Sequence, residues 1–328
     1  MEASTALAGR AIWITWERQR RNRSMAARVG ATLHELEYRG GAIARYCVLI
    51  SRTVRLVRSQ QPDVVFFQNP SLVLAALIAA LKTLRVIRGK TVGDFHNAGV
   101  HPPIASFLVP WIVRHCDLVL VSNSNLAPAI EAHGGRCLAV PDPLPHMAHT
   151  AQAASTGPFS VFFVCSWAAD EPIGAVLEAA RLVGRTAPDI KVAITGRAKL
   201  AAIGWVGEVP PNVELTGFLA DDEFERRLAS SSVVLDLTTR ADCMVCGAYE
   251  AVSAGVPMIL SNNEPTRRYF HKGALFTDNS AQNIADLILR ARDQHARLAR
   301  EVSELEGELA SSERRTLADL VRLVSHAG

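Results

Sequence analysis

A chain of 328 residues is long enough for two domains, and 49% hydrophobic with 20% charged residues is the balance of a folded protein, not of a disordered, collagen-like or coiled-coil one. The formal net charge is only +3, so binding to nucleic acid or acidic lipid would have to come from local basic patches.

The opening Met1-Glu2-Ala3-Ser4 lacks the charged, apolar, small-residue order of a secretory leader, so the expected location is the cytoplasm. The longest wholly apolar run, residues 72–81, falls well short of the roughly 18 to 20 residues a spanning helix needs. The six cysteines sit mostly in apolar runs such as FSVFFVCS, where a reduced cysteine is a small core residue, and no disulfide is expected.

Short β-branched runs alternate with helix-period segments. In chain order the pattern predicts strands at 12–16, 63–68, 91–95 and 118–122, with helices near 24–38, 72–86, 104–115 and 125–133. A β-α-β-α series predicts a parallel sheet covered on both faces, with ligands bound beyond the carboxyl ends of its strands. Residues 141–158 read PDPLPHMAHTAQAASTGP, a linker composition without apolar period. The series then restarts, with strands at 161–165, 191–195, 213–216, 233–237 and 258–261 and helices near 174–185, 222–230, 247–254 and 281–297. After 297 a charged stretch keeps apolar residues at helical spacing to Val324 and reads as a long surface helix.

The expected organisation is therefore two Rossmann-like, doubly wound α/β domains, 1–150 and 157–304, facing across a cleft, with a segment from about 305 to 328 packing back on the first. Such clefts commonly hold small molecules, though fold alone does not say which. No G-x-G-x-x-G follows the first strand and no G-x-x-x-x-G-K-[ST] occurs, so dehydrogenase and P-loop readings lose ground.

The most informative stretch runs from Leu237 to Ser261, LTTRADCMVCGAYEAVSAGVPMILS. Seven residues separate the acids Asp242 and Glu250, a helix starts between them, and A-G-V-P leads into a strand. This resembles the donor-site signature of retaining GT-B glycosyltransferases, especially glycosyltransferase family 4, where two glutamates flank seven residues. The later GALFTDNSAQNIADLI is similar to that family's strand, acidic loop and helix. The resemblance covers residues 159 to 290 well and the first domain in outline. It implies a GT-B fold, a nucleotide-sugar donor and no required metal or other cofactor.

By that resemblance Asp242, an Asp where Glu is usual, contacts donor-sugar hydroxyls, and Glu250 accepts hydrogen bonds from the two ribose hydroxyls, a task suited to two carboxylate oxygens. The alternative is that Asp242 caps a loop and Glu250 steadies a helical first turn. The leaving diphosphate needs Arg, Lys or helix-start N–H groups. The family's Arg and Lys after the first strand of the second domain are missing, since that site reads CSWAADEPI. Arg197, Lys199 and Arg240 are the candidate replacements, with N–H donors around Cys246 and Gly247; otherwise these basic side chains are solvated loop tips.

In the first domain TWERQRRNRS follows the first strand, and similar openings occur in bacterial polysaccharide-assembly glycosyltransferases. Glu17, Arg18, Arg20, Arg21 and Arg23 are expected near an acceptor, where a guanidinium fork suits a phosphate or acidic sugar, unless the run is a solvated basic loop. Nucleic acid is not expected, because no aromatic residues interleave. His96 resembles the family's first-domain histidine near acceptor and donor sugar; Asn97 and Asn69 end or follow neighbouring strands on the same side. Cys243-Met-Val-Cys246 has no second ligand pair nearby and reads as packing rather than zinc or redox chemistry. Phe107, Leu108 and Trp111 either meet a membrane surface or belong to a buried helix.

The reading is a retaining glycosyltransferase that moves a sugar from a nucleotide-sugar to a glycan or lipid-linked acceptor in cell-surface polysaccharide or glycoconjugate assembly, at or near the inner membrane face. The alternatives are a non-catalytic GT-B subunit and a GT-B sugar-nucleotide epimerase.

Overall fold

The computed structural model describes residue 7 and residues 9–69, 71–102, 104–150 and 157–325. It divides into two units, one formed by Met1–Pro143 with Ser311–Gly328 and the other by Leu144–Ala310. Each is a six-stranded, all-parallel sheet with helices, the α/β architecture expected from the sequence.

In unit 1 the elements are β1 (Ala11–Thr15), α1 (Arg20–Val29), β2 (Thr32–Glu35), α2 (Ala42–Gln60), β3 (Val64–Asn69), α3 (Leu72–Thr83), β4 (Lys90–Phe95), α4 (Asn97–Val100), α5 (Val109–Arg114), β5 (Leu118–Val121), α6 (Ala127–Glu131) and β6 (Cys137–Ala139). The strand order is β2-β1-β3-β4-β5-β6. β1, β3 and β5 lie covered on both faces, which is why they read as continuous apolar runs. Trp13 stacks on Phe66 with ring centroids 5.1 Å apart.

The predicted helix at 24–38 is corrected here. Gly30 takes φ 70, donates its N–H to the carbonyls of Ala26 and Ala27, and stops α1; the chain then extends into β2, which pairs with β1. α2 escaped the sequence reading, although Leu49, Thr53 and Val57 at four-residue spacing are its buried stripe. The predicted helix at 104–115 is a 3-10 turn, Ser106–Leu108, running into the short α5. Leu108 and Trp111 pack against the core, whereas Ile104 and Phe107 are 79% and 78% exposed.

Unit 2 comprises β7 (Ser160–Phe163), α7 (Ile173–Thr186), β8 (Lys191–Thr195), β9 (Val213–Gly217), α8 (Asp221–Ser230), β10 (Val233–Asp236), α9 (Cys246–Ala254), β11 (Met258–Ser261), α10 (Glu264–Tyr269), β12 (Ala274–Thr277) and α11 (Ala281–Asp293). The strand order is β12-β11-β10-β7-β8-β9, so β10 and β7 are central neighbours. α12 (His295–Ser325) starts in this unit and ends in the other. Its Val302, Leu305 and Leu309 join the unit 2 core, and Leu317, Leu320 and Val324 join the unit 1 core beside Trp13 and Phe66. Arg28 pairs with Glu313, and Lys90 Nζ donates to the Val324 carbonyl at 2.5 Å.

Candidate functional site

β10 ends at Asp236, and residues 237–245 lead to α9. Side chains from three neighbouring segments tie this loop down. Thr238 Oγ1 donates to Asp170 Oδ2 at 2.7 Å, Thr238 N–H donates to Ser261 Oγ at 2.9 Å, and Asn279 Nδ2 donates to the Thr238 carbonyl at 3.1 Å. Asn263 Nδ2 donates to the Cys243 carbonyl at 3.3 Å.

Asp242 is half-buried in this loop with φ 52, the left-handed region that Asp enters more readily than Glu. Its backbone thus gives a physical reason for the shorter acid. α9 then begins with exposed Cys246 and buried Gly247, Ala248, Tyr249 and Glu250. Glu250 is 8% exposed, an unusual position for a carboxylate unless something polar is arranged around it. No acidic residue of α9 itself lies in its first turn, but the predicted N–H donor at Gly247 is already held, since Asp236 Oδ2 accepts it at 2.7 Å.

Where a basic pair was looked for after β7, the structure has a carboxylate instead. Glu171 accepts from the N–H groups of Ser166 and Ala168 at 3.0 and 2.8 Å, from Ser166 Oγ at 2.9 Å and from Cys165 Sγ at 3.3 Å. Trp167 sits between those amides at φ 63, its indole N–H donating to the Thr195 carbonyl at 2.9 Å.

Of the proposed replacements, Arg240 pairs with Asp170 at 2.9 Å and is largely exposed. Arg197 and Lys199 are exposed in the loop after β8. Gly196, at φ 83, packs so tightly on the preceding loop that a Cβ there would lie 2.4 Å from the Cys165 carbonyl. Arg197 therefore leaves from a backbone pressed against the β7–α7 loop. Among the described residues no group of three or more His, Cys, Asp or Glu could hold a metal ion.

The arginine run of unit 1 does not form one cluster. Arg18 pairs with Glu37 at 2.6 Å, and Arg23 meets Glu35 through two hydrogen bonds of 3.0 and 2.9 Å. The Arg20 side chain lies outside the described residues. Arg21 departs furthest from the expected acceptor role. It is buried, with Nε and Nη2 on Asp94 at 2.9 and 2.8 Å, Nη1 on Asp142 at 2.6 Å and Nη2 also on the Val140 carbonyl at 2.9 Å. Burial disfavours both charges, and the pairing more than offsets it, holding Asp94 well below the usual carboxylate range and Arg21 above its own. Glu17 is half-buried and accepts from Gln19 Nε2 at 3.2 Å.

His96, Asn97 and Asn69 do come together. Asn69 ends β3, fully buried, and its carbonyl accepts the His96 N–H at 3.3 Å. Its Nδ2 donates to the Gly99 carbonyl at 3.3 Å, while its Oδ1 has no hydrogen-bond partner. A Cβ on Gly99 would lie 2.9 Å from the Asn69 side chain, so glycine permits this approach. His96 is partly exposed just before α4, with Nε2 3.5 Å from Asp94 Oδ2, and Asn97 opens that helix. Sequence reading missed Asp94, Asp142, Glu171 and Asp236. Asp94 and Asp142 show their role only through a partner distant in sequence, Glu171 holds amides of its own loop where no periodic pattern marks it, and Asp236 hides at the end of an apolar strand.

Residues 149–304 match the family model of the glycosyl transferases group 1. Unit 2 carries a glycosyltransferase domain. The match spans the loop before α9, with Asp242, and Glu250 inside it. No curated protein matches the chain in sequence. Among solved structures the chain is similar to Anabaena Alr3699/HepE in complex with UDP and glucose, with TM-score 0.69, 13% identity, and 94% of this chain and 91% of that one covered. It is similar to the pneumococcal O-GlcNAc transferase GtfA in complex with UDP and GlcNAc, with TM-score 0.62, 12% identity, and 85% and 60% covered. A putative UDP-N-acetylglucosamine 2-epimerase from Listeria monocytogenes gives TM-score 0.59 and 11% identity over 95% and 98%. At these identities the likenesses establish the GT-B fold of this glycosyltransferase and leave its substrates to its own residues.

Proposed function

We propose that this glycosyltransferase is a retaining enzyme of the family 4 type that moves a sugar from a nucleotide-sugar to a glycan or lipid-linked acceptor in cell-surface polysaccharide or glycoconjugate assembly. The observation that carries the reading is Glu250, a nearly buried carboxylate one turn into α9, preceded by Asp242 in a loop pinned by Asp170, Ser261, Asn263 and Asn279. On this reading Glu250 accepts the two ribose hydroxyls and Asp242 the hydroxyls of the donor sugar. The N–H groups at the start of α9 other than that of Gly247, which Asp236 holds, stabilise the leaving diphosphate together with Arg197 and Lys199, in the place a metal ion takes elsewhere.

The acceptor hydroxyl attacks C1 on the face the diphosphate leaves. The C1–O bond to phosphate breaks, the C1–O bond to acceptor forms, and a phosphate oxygen takes the hydroxyl proton. The protein's work is positioning and charge stabilisation. Asn69 Oδ1, His96 and Asn97 are the acceptor-side polar groups of unit 1. Exposed Ile104 and Phe107, in the unit that also carries the acid-free, arginine-bearing α2, suit an anionic membrane surface from which a lipid-linked acceptor is drawn.

The test is a thermal-shift comparison of UDP, GDP, ADP and dTDP with wild type and Glu250→Ala. UDP comes first, since the Anabaena and pneumococcal structures hold it. A ligand at about 100 times its dissociation constant adds roughly 2.7 kcal/mol, a shift of several degrees. One nucleotide should stabilise wild type and not Glu250→Ala; no shift with any of the four counts against the reading.

A second reading, a non-catalytic subunit that binds a nucleotide or partner, is favoured by one observation: Glu171 and Asp170 stand where the basic pair was expected. Nucleotide binding without transfer or hydrolysis of any nucleotide-sugar would select it.

A further inference from the structure

Asp236 is the one polar residue of β10, after buried Val233, Val234 and Leu235, and it too is nearly buried. Its Oδ2 accepts the N–H of Gly247, the second residue of α9, at 2.7 Å. Gly247 is needed for that approach: a Cβ there would lie 2.6 Å from the same oxygen and 2.9 Å from Val164. Strand end and helix start are thus fitted to each other through a carboxyl and a missing side chain. Glu250 stands three residues beyond Gly247, on the next turn of the same helix.

We propose that Asp236 is a positioning residue of the donor pocket, fixing the first turn of α9 through Gly247 and thereby the place at which Glu250 meets the nucleotide. This rests on the donor-site reading above and adds a residue to it. Among the described residues, the titratable groups that act on Asp236 are Glu250 from α9, Glu171 from the β7–α7 loop and the Cys165 thiol, none of them a cation. Burial, with Glu250 and Glu171 adding to it against the Gly247 N–H, holds this carboxyl well above the usual carboxylate range. In its neutral form it anchors the helix without adding charge.

The experiment measures the Kd of the stabilising nucleoside diphosphate at about pH 7 for wild type, Asp236→Asn, Asp236→Leu and Gly247→Ala. The Asn variant keeps an oxygen for the Gly247 N–H and should bind within about twofold of wild type. The Leu variant, which removes the acceptor, and the Gly247→Ala variant, whose Cβ meets Asp236 Oδ2, should each, if folded by a cooperative melt, bind at least about tenfold more weakly, equivalent to roughly 1.4 kcal/mol. Wild-type affinity in a folded Asp236→Leu or a folded Gly247→Ala would overturn the proposal alone. If Asp236→Leu does not fold, Gly247→Ala decides. Absence of any nucleotide binding by wild type overturns the donor-site reading and this inference with it.

Discussion

Arg21 and Asp94 form a buried two-pronged ion pair, with Nε and Nη2 of the guanidinium 2.9 and 2.8 Å from the carboxylate. The pair joins α1 to β4, and Asp142 adds a second carboxylate from the chain after β6. An arginine that reads as a ligand-binding fork in the sequence is thus a fastener of unit 1.

Arg21→Ala should cost about 3–5 kcal/mol of stability, because it strands buried Asp94 without its countercharge. The midpoint of denaturant unfolding measures this. Arg18→Ala, whose pair with Glu37 is exposed, should change stability by no more than about 1 kcal/mol, and Arg23→Ala, an exposed guanidinium, should leave the unfolding midpoint close to that of wild type.

The same pair sets a pH dependence. Asp94 is held below its unfolded value, so its contribution is complete above about pH 4, the unfolded carboxyl range, and is lost as the pH falls from there towards the folded value. Wild type should lose stability on acidification below about pH 4 more steeply than Arg21→Ala, in melts taken across that range.

Asp236 has the opposite sign. Its folded-state value is raised, so the folded protein holds a proton that the unfolded chain has released above about pH 4, and this term falls as pH rises from there. Asp236→Asn removes it. The stability of the variant relative to wild type should increase from pH 4 towards neutrality, as read from paired unfolding curves.

Asp242→Asn should lower turnover more than nucleotide affinity, since the amide keeps the φ 52 backbone comfortable and changes what meets the donor sugar. Equal turnover in both forms, measured as kcat with the donor saturating, would remove Asp242 from the reaction.

Glu171→Ala would leave the N–H groups of Ser166 and Ala168 without their acceptor. A loss of about 1–3 kcal/mol is expected, with faster amide exchange confined to the β7–α7 loop.

The two-domain α/β architecture was legible because buried parallel strands must be apolar throughout and their helices must show a stripe, whatever the ligand. The loop from Leu237 and the helix bearing Glu250 drew notice instead through their resemblance to a family's donor-site signature, which is one continuous segment with its spacing intact. What sequence alone could not decide was pairing across the chain. Whether Arg21 meets a ligand or Asp94 and Asp142 depends on residues that only the fold brings together. Asp236 is the sharpest instance: one carboxyl at the end of an apolar strand has no meaning until the helix eleven residues on, lacking a side chain at Gly247, is laid against it.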